Sequence, residues 1–186
     1  MFPLTFSEIG SQLKTISELE RRLLIGGLPS IFDSKKPFDD FDDYIQLYLN
    51  EEIKAEGLVR NHDAFHRFLQ VSALTNAKEI NISEIRAFLS YCGKKSELFY
   101  WRSTSKFEVD LIIKSSTQMW ALEIKSKKVI TKKERKGLLA FAEDYPKVKK
   151  IIVSLEGRHF IDEDKIEIIP IFDFLKMLWA DELGFD

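Results

Sequence analysis

Glu108-Val109-Asp110-Leu111-Ile112-Ile113-Lys114, Ser115-Ser116-Thr117-Gln118 and Met119-Trp120-Ala121-Leu122-Glu123-Ile124-Lys125 are the consecutive segments whose reading decides the fold. Two runs rich in β-branched and aromatic residues flank four small or polar ones, the pattern of two strands joined as a hairpin. In that register Asp110 is expected opposite Glu123 and Glu108 opposite Lys125, all four on one face. Val109, Leu111, Ile113, Trp120, Leu122 and Ile124 form the other face, apolar throughout, which must be buried against helices.

Outward from the hairpin, Leu98-Phe99-Tyr100-Trp101-Arg102 reads as a preceding strand, so a three-stranded meander is the simplest arrangement. A helix is expected over 131–145, stopped by Pro146, followed by strands over 148–155 and 166–169 and a terminal helix over 171–183. Upstream, Asn81 or Ser83 is expected to cap a helix that runs to about Tyr91 and ends at Gly93. From there on the order is αβββαβ with a βα extension, an α+β architecture.

The first half has a different character. Phe41, Tyr44, Ile45, Tyr48, Leu49 and Ile53 recur at helical spacing within 38–56, and a second helix is expected over 63–74. Gly26-Gly27-Leu28-Pro29 reads as a turn. With no repeat or low-complexity linker, the boundary is expected near Asn76 to Ser83, which gives a helical segment over 1–80 and a second domain over 81–186.

A chain of 186 residues, 45% hydrophobic and 12% aromatic, can bury a substantial core. Its one cysteine, Cys92, excludes an intramolecular disulfide framework and is expected to be a buried thiol. No zinc-ligand spacing occurs; His62 and His66 stand four apart without a third ligand, and His159 lies in a polar turn. Without a signal peptide or a membrane-spanning apolar run, the reading is a soluble cytoplasmic protein. The net charge of −2 hides an asymmetry between an acidic first half and a lysine-rich stretch from Lys125 to Lys136.

The charged face of the hairpin carries the chemistry. Two carboxylates about 5 Å apart repel by roughly 3 kcal/mol at an effective dielectric near 20, so Asp110 and Glu123 call for a cation, either Lys125 or a divalent ion. Mg²⁺ takes oxygen ligands and keeps several waters, so two carboxylates and a substrate phosphate suffice to hold it, while the ammonium of Lys125 stabilises charge and orients a water. Asp110, Glu123 and Lys125 are thus the candidate catalytic set for phosphodiester hydrolysis. The bland alternative is an edge hairpin whose charges face solvent, with Glu108 and Lys125 as an ordinary cross-strand pair. Beside this centre, Lys127, Lys128, Lys132 and Lys133 are candidates to neutralise a nucleic-acid backbone, and Arg102 to hold a phosphate. Trp101 is expected in the core.

Asp110 and Glu123-Ile124-Lys125 resemble the PD-(D/E)xK motif of the restriction-endonuclease-like superfamily. That resemblance implies a restriction-endonuclease-like αβββαβ core and a further metal ligand from the preceding helix, Glu84 here. A second resemblance covers most of the chain: Pro3-Leu4-Thr5-Phe6-Ser7-Glu8, Gly26-Gly27-Leu28-Pro29, Tyr48-Leu49 with Glu51-Glu52-Ile53, Tyr100-Trp101-Arg102-Ser103, Phe107-Glu108-Val109-Asp110 and Glu123-Ile124-Lys125-Ser126 are similar to the C-terminal region of a bacterial and archaeal AAA-type ATPase family. There a P-loop module is followed by a domain of unknown function. This chain has no G-x-x-x-x-G-K-[ST], since Gly93-Lys94-Lys95-Ser96 lacks the earlier glycine, so no ATP site is expected. The winged helix that the family places after a segment like Glu79-Ile80-Asn81-Ile82-Ser83-Glu84 is also missing.

The expectation is therefore a shortened or remnant accessory module of an AAA-type ATPase, contacting nucleic acid or a partner ATPase through its second domain. The alternatives are an active Mg²⁺-dependent nuclease and a non-enzymatic protein-interaction module.

Overall fold

The computed structural model describes residues 3–25, 27–48 and 76–186. The chain divides into two compact units, Met1–Ile80 and Asn81–Asp186.

The first unit is helical: α1 (Phe6–Ile9), a 3₁₀ turn (Gly10–Gln12), α2 (Ile16–Ile25), α3 (Pro29–Phe32) and α4 (Pro37–Tyr48). Capping boxes start α1 and α2. Glu8 reaches back to the Thr5 N–H, and Glu18 to the Thr15 N–H while the Glu18 N–H donates to the Thr15 hydroxyl. Within the segment expected to turn, the Leu4 N–H bonds the Gly27 carbonyl at 2.8 Å. A Cβ on Gly27 would lie 2.6 Å from that of Pro3, so the turn can close there only on glycine. Residues 49–56 of the expected first helix, the whole expected helix over 63–74, His62 and His66 lie outside the described residues.

In the second unit α5 (Asn76–Tyr91) precedes β1 (Glu97–Arg102), β2 (Glu108–Lys114), β3 (Met119–Lys125), α6 (Lys132–Asp144), β4 (Lys149–Ser154), β5 (Phe160–Ile161), β6 (Ile166–Pro170) and α7 (Ile171–Trp179). The six strands form one mixed sheet in the order β1-β2-β3-β4-β6-β5. β1, β2 and β3 are the antiparallel meander, β4 runs parallel to β3, and β6 parallel to β4. This is an α+β fold with the expected αβββαβ order.

Several local expectations are corrected. Asn81 and Ser83 lie inside α5 and do not cap it, because the helix already runs from Asn76. Its other end matches: Gly93 adopts φ +63°, which lets the Lys94 N–H return to the Leu89 carbonyl at 2.9 Å. Cys92, at this helix end, is exposed rather than buried. β5 is a two-residue strand, too short for any periodicity to announce, paired to β6. α7 stops at Trp179, where Asp181 takes φ +59°, and Phe185 then returns to meet Trp120 edge-on at 5.2 Å.

Helices cover both faces of the sheet. α6 lies on β2 and β3, burying Leu138 and Phe141 with Ile112, Ala121, Ile152 and Ile168. On the other side α7 lies on β4 and β6, and α5 joins it through Phe88, edge-on to Trp179 at 5.8 Å. Trp101 packs on Phe141, as expected of a core aromatic. The hairpin is therefore not a sheet edge, since β1 and β4 flank it, and α6 covers part of its charged side.

One irregularity positions the site. Phe99 pairs with Ile112, but Trp101 pairs with Val109, so Tyr100 alone stands opposite both Asp110 and Leu111. That is a β-bulge in β2 at Asp110. The expected hairpin register holds from Lys114↔Met119 to Leu111↔Leu122, and the β2–β3 ladder ends there, one residue short of Asp110. Past the bulge Val109 joins the apolar cluster under α6 instead of the opposite face.

Candidate functional site

The end of the β2–β3 ladder leaves a notch into which Asp110, Glu123 and Lys125 converge. The Asp110 carboxylate accepts the Ile124 backbone N–H at 2.9 Å and the Lys125 ammonium at 3.3 Å. Lys125 also donates to Glu123 in a short contact. The Glu123 side chain is 4% exposed and that of Asp110 10%, so this is a buried acid pair bridged by one ammonium. The Glu108–Lys125 ion pair of the alternative reading is not formed: Glu108 accepts the Tyr100 hydroxyl at 2.8 Å.

Burial, and then the neighbouring Asp110 carboxylate, push the Glu123 carboxyl up to about 8, against the opposing pull of Lys125. Burial works against the charge on Lys125, yet its contacts with Glu123 and Asp110 outweigh it and raise its pKa. Near neutral pH the pair thus shares a proton and the ammonium stays charged, a balance that belongs to the three groups jointly.

Gly137 brings α6 this close. A Cβ there would lie 2.1 Å from the Glu108 carbonyl oxygen and 2.9 Å from Glu123 Oε1. A glycine within a helix, costly to helix propensity, is explained by that approach.

Above the acid pair opens a cleft of about 470 Å³. Lys106, Lys125, Lys127, Lys133 and Lys136 line it, with Glu108, Glu123 and Glu134 between them and Phe107 at its side. Two of the glutamates are neutralised within the cleft, Glu123 by Lys125 and Glu134 by Lys127. No ion pair among the described residues engages Lys106, Lys133 or Lys136, so the cleft presents excess positive charge.

The loop into α6 is firmly tied. Thr131 and Glu134 form a capping box, in which the Thr131 N–H donates to Glu134 at 3.0 Å and the Lys133 N–H to the Thr131 hydroxyl at 3.3 Å. The Lys127 ammonium, followed by the Thr131 hydroxyl, holds the Glu134 carboxyl down at about 2. Arg135 turns away from the cleft to Asp162, 3.1 Å from Nε.

The sequence-derived site residues thus fall into three groups. Asp110, Glu123 and Lys125 come together, and Lys127 and Lys133 line the cleft above them. Lys128 and Lys132 are exposed outside the lining, and Arg102 is exposed at the end of β1, paired in register with Glu108. Glu84 is buried on α5 and accepts the Trp179 indole N–H at 3.0 Å. Among the described residues no three His, Cys, Asp or Glu side chains are grouped to hold a metal ion. Gly93-Lys94-Lys95-Ser96 has structural partners, Lys94 with Asp181 at 2.6 Å and Ser96 with the Asp186 carbonyl. Sequence reasoning missed Lys106, Phe107 and Gly137. Of these only Gly137 carried a signal, a glycine in mid-helix; Lys106 and Phe107 sit in a turn without periodicity.

Comparison with known proteins follows the second unit. Residues 79–174, just over half of the chain, match a family described as a domain of unknown function (DUF4143). The chain belongs to the DUF4143 family. Residues 16–100 match another domain of unknown function (DUF8612), and the two matches overlap along α5 and β1. No curated protein and no solved structure matches the chain. No helix among the described residues is long and apolar enough to cross a membrane.

Proposed function

We propose that the DUF4143 domain of this chain binds the phosphate backbone of nucleic acid in the lysine-lined cleft. The observation that carries this reading is the convergence of Lys106, Lys133 and Lys136, outside any ion pair among the described residues, over a centre already neutralised by Lys125. Several ammonium groups around one groove attract a polyanion and release its counterions. DUF4143 occurs in AAA-ATPase-associated proteins, which supports the role of an accessory module working beside such an ATPase.

The test is fluorescence anisotropy of labelled DNA and RNA against salt, with Lys133→Ala/Lys136→Ala as the control. Binding is expected to weaken with salt, and the double variant to lower the slope of log K against log salt by roughly 1.5 to 2. Absence of binding at low salt overturns the proposal and favours a protein-interaction module.

A second reading, cation-dependent phosphodiester hydrolysis in a restriction-endonuclease-like core, is favoured by the convergence of Asp110 and Glu123 on a single point, the Lys125 ammonium. Two carboxylates directed to one point, costly to ionise together, are a donor set that fits Mg²⁺. Asp110 and Glu123 would hold it, with waters and a substrate phosphate completing its shell. When bound, the cation supplies Lewis acidity at the phosphate. Lys125 balances charge on the attacked phosphate and orients a water. Glu84, held by Trp179, is left out of the set. Cleavage of DNA or RNA with Mg²⁺ or Mn²⁺, abolished in Asp110→Ala, is the expected outcome on this reading; equal cleavage by parent and variant eliminates it.

A further inference from the structure

The β1–β2 turn sets a cation and an aromatic ring side by side at the mouth of the cleft. Lys106 adopts φ +64°, a left-handed conformation that a residue with a Cβ rarely takes. Three hydrogen bonds hold it: the Ser103 N–H to the Phe107 carbonyl at 2.7 Å, the Lys106 N–H to the Ser103 carbonyl at 3.1 Å, and the Phe107 N–H to the Ser103 hydroxyl at 3.0 Å. A left-handed residue is a usual way to close a short hairpin loop, and here it fixes the backbone of Lys106 and Phe107.

What the turn presents is chemically specific. Lys106 and Phe107 both line the cleft, and Phe107 remains 39% exposed although apolar. One exposed ring, that of Phe107, therefore borders a groove whose opposite wall, α6, supplies Lys133 and Lys136.

We infer that the ligand of this cleft is single-stranded nucleic acid, its phosphates following Lys133, Lys136 and Lys106 and an unpaired base stacking on Phe107. This rests on the nucleic-acid reading above and narrows it. Ammonium groups along a groove with aromatic faces beside them are the arrangement that binds unpaired strands with little sequence preference. A duplex keeps its bases stacked inside and offers that ring nothing. The cleft volume, about 470 Å³, falls within the range of sites for small ligands, roughly 300–1,000 Å³, which suits one or two nucleotide units and not the width of a double helix.

The experiment compares the full chain's affinity for fluorescein-labelled oligothymidylate and for a blunt duplex of equal length, at fixed salt. The single strand is expected to bind more tightly. Phe107→Ala is expected to weaken single-strand binding about 10-fold and leave duplex binding within about 2-fold, since stacking is lost and charge is not. Phe107→Trp is expected to retain the affinity, with additional indole emission that the oligonucleotide quenches. Lys133→Ala/Lys136→Ala should weaken both ligands. Equal affinity for the two forms, or a Phe107→Ala effect that is absent or the same on both, overturns this inference while leaving backbone binding intact. No binding of either form overturns the functional reading itself.

Discussion

The Asp110 carboxylate accepts the Ile124 backbone N–H at 2.9 Å, just beyond the point where the β2–β3 ladder has ended at Leu111 opposite Leu122. A side chain thus takes over an inter-strand hydrogen bond at a bulge, and in doing so is fixed beside Glu123 and Lys125. Asp110→Ala is expected to lose about 1–3 kcal/mol of stability, because a buried N–H loses its acceptor. Asp110→Asn keeps an acceptor oxygen and removes the charge. It is expected to cost less and to lower the Glu123 pKa, which carboxyl carbon NMR titration reads directly. A Glu123 titration unchanged in the Asn variant would show that the two acids do not communicate.

Glu123 sets a pH dependence of stability. Folding raises its carboxyl from 4.5 to about 8, so between those values the folded chain retains a proton that the unfolded chain has released. The stabilisation is complete below pH 4.5 and is lost as pH rises toward 8, with a slope of at most about 1.4 kcal/mol per pH unit. The raised pKa of Lys125 acts only above 10.5, outside this window. Glu123→Gln, which cannot ionise, is expected to flatten the thermal-unfolding profile between pH 5 and pH 8 and to unfold at higher temperature than the parent at the alkaline end. A parallel profile for parent and variant would refute the assignment.

The hairpin, its register up to Leu111 and the α+β order were legible because Leu111 to Ile113 and Trp120 to Leu122 admit one pleated arrangement that buries both runs. The meeting of Asp110, Glu123 and Lys125 followed from that register. The bulge was not legible, because it arises from the unequal pairing of β1 with β2, and nothing in Tyr100 or Asp110 alone signals an extra residue. Burial of the acid pair was also hidden, since it depends on α6 lying over β3, a long-range contact that Gly137 permits. Asn81 and Ser83 misled in a different way. Both are good caps, but capping preference is worth only about 1 kcal/mol, and the helix extends through them to Asn76.

The approach of α6 can be tested at Gly137. A methyl group there would stand 2.1 Å from a backbone carbonyl oxygen, which cannot swing aside as a side-chain end can. Gly137→Ala is expected to lose roughly 2–4 kcal/mol of stability through displacement of the helix, even though alanine is the better helix former. Gly157→Ala is the control, with nothing within 4 Å of the added Cβ. Its unfolding midpoint in urea should stay close to that of the parent. Equal tolerance of both substitutions would refute the close packing over Glu108 and Glu123.

The capping box of α6 provides the opposite pH signature. Contacts with Lys127 and then Thr131 hold Glu134 down at about 2 from 4.5, so its stabilisation is present above pH 4.5 and is lost as pH falls toward 2. The Lys127 side chain is 56% exposed, so salt screens this contact, and the loss should be modest, about 1 kcal/mol. Thr131→Ala is expected to cost about 1 kcal/mol at neutral pH, since the Lys133 N–H and Glu134 each lose a partner in the first turn. Because Lys133 stands in that turn and lines the cleft, the same substitution should also loosen nucleic-acid binding by a few-fold on the reading proposed above. Unfolding curves of Thr131→Ala and Lys127→Ala at pH 7 and pH 3 check the point: the deficit of each variant should shrink at the lower pH, and a constant deficit would show that Glu134 is not the group being held.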